Sequence, residues 1–173
     1  MSLDKHTTPD SLEQYSFIWI LLMLVLTAIS LLVEATPIVN TIFESSSVLY
    51  GPISALLNLS WIISGFVSLY LMYRWNTGGK TLFGGKDKKD LYAFLITIVT
   101  GLNIGFMGLF DKNILMDLFY SSALYSIAGI IYLIVVFQLY TSWNKNNKKV
   151  FPVSEPKKAE PAEKAKEERP DSE

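Results

Sequence analysis

Four long apolar stretches alternate with shorter polar ones along the chain, and this pattern predicts the fold class. The first stretch, 17–39, carries a single formal charge, Glu34, near its far end. A helix rises about 1.5 Å per residue, so this stretch extends roughly 34 Å and can cross a hydrocarbon core of about 30 Å. Three similar stretches follow at 52–74, 91–110 and 115–140. We therefore predict an all-α membrane protein with four transmembrane helices.

The polar ends of the chain flank one predicted transmembrane domain, 17–143. Residues 1–16 form a polar arm, in which Asp10 or Ser11 is a suitable cap for a helix leading into the first span. Residues 144–173 are rich in Lys, Glu, Pro and Ala, and they bury too little apolar surface to offset the entropy of ordering. We expect a disordered, charged tail there.

Basic residues predict the orientation of the four spans. The central loop, 76–90, contains four lysines, and more lysines follow the fourth span. The loops on the opposite side carry mostly acidic residues, with Lys112 as their one basic side chain. Because lysine and arginine collect in cytoplasmic loops, we expect a multi-pass protein of the cell membrane with both termini in the cytoplasm.

The two halves of the chain resemble each other. The tripeptide SAL at 54–56 recurs at 122–124, and Trp75-Asn76 recurs at the same spacing as Trp143-Asn144. Each half contains two spans that enter the membrane from the same side. We therefore predict two tandem, parallel hairpin repeats that form a four-helix bundle with a pseudo-two-fold axis along the membrane normal.

The composition excludes several kinds of chemistry within this chain. There is no cysteine and only one histidine, His6, in the polar arm. Disulfides, thiolate nucleophiles, cysteine-ligated zinc, iron–sulfur clusters and bis-histidine haem are therefore excluded. No serine in a span has a histidine partner. We expect neither enzymatic activity nor a cofactor, and the net charge of −1 gives no reason to expect a nucleic-acid partner.

Small residues recur every three or four positions on the second and third spans, and polar residues recur at similar depth on all four. The small residues predict close helix packing, which drives association of helices in membranes. They are Ser60, Ser64, Ser68, Gly101, Gly105 and Gly108. Counting from the outer helix ends places the polar residues in one candidate layer. They are Glu34, Asn58, Asn103 and Ser126. Glu34 is the only carboxylate of this layer, although an interfacial position for it is the alternative.

Three functional hypotheses fit these features. The leading one is a non-catalytic accessory or structural subunit, which lies in the lipid bilayer beside other membrane protein subunits. The second is a small-solute or ion carrier that uses the polar layer around Glu34. The third is a lipid- or quinone-binding membrane module. The sequence leaves the oligomeric state open.

Overall fold

The computed structural model describes residues 8–32, 47–114 and 122–151 of the protein. It contains four helices: α1 (Pro9–Leu32), α2 (Ser47–Thr77), α3 (Lys88–Phe110) and α4 (Ser122–Lys145). Each helix contains a stretch that is long and apolar enough to cross a membrane. The predicted all-helical fold with four candidate spans is confirmed, as expected of a multi-pass membrane protein.

Local chemistry explains where two of the helices begin. Helix α1 begins at Pro9, inside the predicted polar arm, because the fixed φ of proline suits the first helical position. The cap is Thr8, not Asp10 or Ser11: its hydroxyl accepts a hydrogen bond from the backbone N–H of Ser11 at 3.3 Å. Helix α3 is capped by Asp87, whose carboxylate accepts from the backbone N–H of Lys89 at 2.9 Å.

The folded part of the chain extends beyond position 144, where the disordered tail was expected to begin. Val150 and Phe151 are buried, and the carbonyl of Val150 accepts a hydrogen bond from the backbone N–H of Phe83 at 2.9 Å. The expectation was wrong for 144–151 because it averaged composition over a long polar segment that contains these two large apolar side chains. The rest of the expected tail, 152–173, lies outside the described residues, as do 33–46 and 115–121.

The helices form a four-helix bundle in which α1 and α3 occupy the middle. Helix α2 packs most extensively on α3, and α4 packs most extensively on α1. Contacts of α1 with α2 and of α3 with α4 close the ring, and α1 also touches α3 across it. Helices α2 and α4 consequently turn broad apolar faces outward, with Phe66 65% and Phe137 73% exposed. Lipid tails or another membrane protein must cover such faces.

An aromatic cluster closes the end of the bundle at which α1 and α3 begin and α2 and α4 end, called here the closed end. Phe17 of α1 contacts Trp143 of α4 and Phe83 of the loop, each with ring centroids 5.7 Å apart. Phe94 of α3 contacts Trp75 of α2 and Phe151, each at 6.0 Å. These rings pack Phe83, from the loop between α2 and α3, and Phe151, from the segment after α4, against the helices.

Candidate functional site

Helices α2 and α3 approach each other closely at a pair of glycines. A Cβ atom added at Gly105 would lie 2.5 Å from the Cα of Gly65, and one added at Gly65 would lie 2.9 Å from the Cα of Gly105. The two backbones therefore touch, as small residues allow in membrane bundles. Gly108 lies on the same contact, because its added Cβ would be 2.8 Å from the backbone nitrogen of Ile62. Gly101 lies against Ser68 and Ile20.

The three serines predicted to pack between helices donate hydrogen bonds to the backbone of their own helix. The hydroxyls of Ser60, Ser64 and Ser68 each donate to the carbonyl four residues earlier, at 2.7–2.8 Å. Ser64 and Ser68 are fully buried, whereas Ser60 is half-buried. The oxygen of Ser64 also accepts a hydrogen bond from the indole nitrogen of Trp19 at 3.0 Å, which links α1 to α2. The serine hydroxyls therefore serve helix contacts.

The residues of the predicted polar layer occupy different environments. Asn103 is buried on α3, and its side-chain amide donates to the amide oxygen of Asn113 at 2.8 Å. Asn58 is exposed on α2 and Ser126 is half-buried on α4. Glu34 lies outside the described residues. The only buried member of the layer that the structure describes is thus bonded to the segment that follows its own helix.

An ion pair links α1 and α2 at the closed end. The carboxylate of Glu13, which is 4% exposed, binds the guanidinium of Arg74. The backbone N–H of Phe151 donates to the same carboxylate. A buried carboxylate is stable in a bundle when it is paired and further hydrogen-bonded, as here. Glu13 therefore ties three separate parts of the chain together.

A second carboxylate links α3 and α4 at the same end. Asp90, which is 7% exposed, accepts a hydrogen bond from the hydroxyl of Ser142 at 2.7 Å and another from the side-chain amide of Gln138 at 2.8 Å. Both partners are neutral hydrogen-bond donors, and Asp90 lies in the first turn of α3, where the helix dipole favours an acidic side chain. The arrangement joins two helices and leaves little of the carboxylate accessible.

Sequence reasoning missed four of the residues that hold the helices together, which are Gly65, Trp19, Glu13 and Asp90. A signal existed for Gly65, because it follows Ser64 directly in the span that carries the three regularly spaced serines, and small residues in a span indicate close helix packing. Glu13 and Asp90 each lie just before a predicted span, but the sequence indicates no partner for either. The partner of Trp19 could not be read from the sequence, since it depends on which helices are neighbours.

The chemistry of the described interior is that of helix contacts. In the part of the chain that the structure describes, no group of three or more His, Cys, Asp or Glu side chains could hold a metal ion. Glu13 and Asp90 each meet the neighbouring helix through a hydrogen bond. The arrangement can position helices.

Comparison of the chain with protein family models, with curated proteins and with solved structures gives no match.

Proposed function

We propose that this protein is a non-catalytic accessory or structural subunit of a larger membrane complex. The observation that carries the proposal is that the buried carboxylates bind across helix boundaries. Glu13 joins α1 to α2, and Asp90 joins α3 to α4. Groups engaged in this way stabilise a rigid bundle and have little capacity left for a substrate.

The outer faces of α2 and α4 supply the surface that such a subunit needs. Phe66 and Ile134 are 65% and 62% exposed, and each lies in the middle of its helix among other exposed apolar residues. Because lipid tails satisfy apolar side chains as well as a protein does, a partner would add affinity mainly through shape and close packing.

A photo-cross-linking experiment tests the proposal in native membranes. A benzophenone amino acid replaces Phe66 in one variant and Ile134 in another, and a third variant carries it at the fully buried Phe94 as a control. We expect the two outer positions to form a cross-link to a different polypeptide, and the buried position to form none. Cross-links from the outer positions to lipid or to a second copy alone would refute the proposal.

We propose further that the chain consists of two tandem hairpin repeats related by a pseudo-two-fold axis. Support comes from the segments that follow α2 and α4. Lys80 and Lys148, which keep the spacing of Trp75 and Trp143, both have left-handed backbones, with φ of 58° and 61°. The backbone N–H of each donates to the carbonyl of its own tryptophan at 3.0 Å.

The aromatic and acidic contacts at the closed end support the same relation. The contact of Phe17 with Trp143 at 5.7 Å has its counterpart in the contact of Phe94 with Trp75 at 6.0 Å. An acid near the start of α1 bonds to α2 through Arg74, and an acid near the start of α3 bonds to α4 through Ser142. Arg74 and Ser142 are themselves separated by the repeat spacing.

The proposed location is the cell membrane, with the closed end in the cytoplasm. The lysines of the central loop and of the segment after α4 all lie at that end, as cytoplasmic segments of membrane proteins do.

A carrier is the second candidate function, and the burial of Asn103 within a span favours it. It requires that Glu34, Asn58 and Ser126 join Asn103 around a path for a solute or ion. Replacing Glu34 with glutamine would then abolish a proton- or cation-dependent flux in proteoliposomes. An unchanged flux in that variant would remove this mechanism.

A further inference from the structure

We propose that the closed end binds the headgroups of anionic phospholipids through two similar turns, one after α2 and one after α4. The first turn runs from Trp75 to Lys80 and the second from Trp143 to Lys148. The proposal does not depend on a partner subunit, because it rests on the charge, the geometry and the position of the turns.

Among the described residues, the closed end carries an excess of positive charge. Seven exposed lysines surround it, and in the described part of the chain none of them forms a salt bridge. They are Lys80, Lys86, Lys88, Lys89, Lys145, Lys148 and Lys149. The nearby acids are Asp10, Asp87 and Asp90, together with Glu13, which Arg74 neutralises. Asp87 caps α3 and Asp90 is buried, and neither forms a salt bridge with a lysine among the described residues.

The two turns hold their lysines at the end of a membrane-spanning helix. The hydrogen bonds from Lys80 to Trp75 and from Lys148 to Trp143 fix each lysine backbone one turn beyond its helix. In the second turn, the indole nitrogen of Trp143 also donates to the carbonyl of Lys148 at 2.9 Å. The ammonium of Lys148 lies 5.9 Å from the centroid of the same indole ring. Each lysine is therefore anchored beside a tryptophan.

Depth in the membrane favours a lipid over a soluble anion. Tryptophan and tyrosine collect at the level of the lipid headgroups, and Tyr73 and Tyr140 are 63% and 53% exposed near the ends of α2 and α4. We expect a lysine anchored beyond these rings to lie at the depth of the phosphate. Clusters of basic residues next to spanning helices attract anionic lipids for this reason.

The test measures the midpoint of thermal unfolding of the full chain in neutral detergent, as phosphatidylglycerol or phosphatidylcholine is titrated in. We expect phosphatidylglycerol to raise the midpoint and phosphatidylcholine to have a smaller effect. Each lysine near an anionic surface contributes roughly fivefold in affinity. The variant Lys80→Gln/Lys148→Gln should therefore require roughly 25-fold more phosphatidylglycerol for the same shift.

Two control variants and one control ligand make the result specific. Lys80→Arg/Lys148→Arg keeps the charge and should restore the response, which separates loss of binding from damage to the turn. Lys112→Gln removes an exposed lysine at the opposite end and should respond as the wild type does. An unchanged response in the double glutamine variant would overturn the proposal. An equal loss in Lys112→Gln, or an equal shift with inorganic phosphate, would also overturn it.

Discussion

The contact between Gly65 and Gly105 makes a sharp prediction about stability. An alanine at position 105 would place its methyl carbon 2.5 Å from the Cα of Gly65 and 3.0 Å from its nitrogen. Carbon atoms in contact prefer a separation of about 3.5–4.0 Å, so α2 and α3 must move apart by about 1 Å. The opposing atoms belong to the backbone of a helix, and no side-chain rotation can relieve the clash.

The expected magnitude follows from two opposing effects. Overpacking at a close contact costs about 1–3 kcal/mol. Alanine favours the helix over glycine by about 0.8–1.0 kcal/mol, which offsets part of this cost. We therefore expect Gly105→Ala to lower the free energy of unfolding by up to about 2 kcal/mol, whereas without the contact alanine would raise it by about 1 kcal/mol.

The assay is unfolding in mixed micelles, in which an anionic denaturing detergent is titrated and loss of helix is followed by circular dichroism. Gly85→Ala is the matched control: its nearest neighbouring atom to an added Cβ is 4.0 Å away and its φ is not positive. It should leave the unfolding midpoint unchanged or slightly higher, because alanine restricts the unfolded chain.

A double-mutant cycle strengthens the test. Once an alanine at position 105 has separated the helices, a second alanine at position 65 meets a wider gap. Gly65→Ala/Gly105→Ala should therefore cost less than the sum of the two single variants. A free energy of unfolding of Gly105→Ala that is about 1 kcal/mol above that of the wild type, with Gly85→Ala unaffected, would show that the two backbones are not in contact.

Three further predictions concern the closed end and the orientation of the chain. Glu13→Gln should lower the free energy of unfolding by roughly 1–3 kcal/mol in the same assay, because it leaves the guanidinium of Arg74 without the carboxylate that it binds. The double variant Glu13→Gln/Arg74→Met should recover part of this loss. Phe151→Ala should lower the free energy of unfolding by about 3 kcal/mol, although this residue lies within the segment expected from composition to be disordered. An unchanged unfolding midpoint would show that the segment does not pack against the helices. Because the chain has no cysteine, the variants Lys80→Cys and Lys112→Cys each carry a single thiol that reports the orientation. A membrane-impermeant maleimide should label only Lys112→Cys in intact cells. Labelling of Lys80→Cys alone would show the opposite orientation.

Much of the fold could be predicted from the sequence because the membrane simplifies the problem. A stretch such as 91–110 is apolar on all sides and long enough to span, and with no water available its backbone must satisfy its hydrogen bonds as a helix. The packing role of the glycines on the third span could be predicted for a similar reason. Gly101 and Gly105 are one helical turn apart, and close packing is the main use of such spacing in a membrane.

The pairing of helices could not be predicted in the same way. Glu13 and Arg74 are separated by 61 positions, and nothing in either span indicates the other as its partner. Their contact depends on the order of helices around the bundle, which four similar apolar stretches leave undetermined. Phe151 was missed for a different reason. Its burial depends on one local hydrogen-bonded turn, and composition averaged over thirty residues hides a segment of this size.

The most direct test of the central claim is the mass and composition of the particle that contains this chain after extraction from native membranes in a mild detergent. Native mass spectrometry should show the 19.5 kDa chain within a heavier particle that includes at least one different polypeptide. A particle that contains only one or two copies of this chain, with bound lipid and no other polypeptide, would contradict the account.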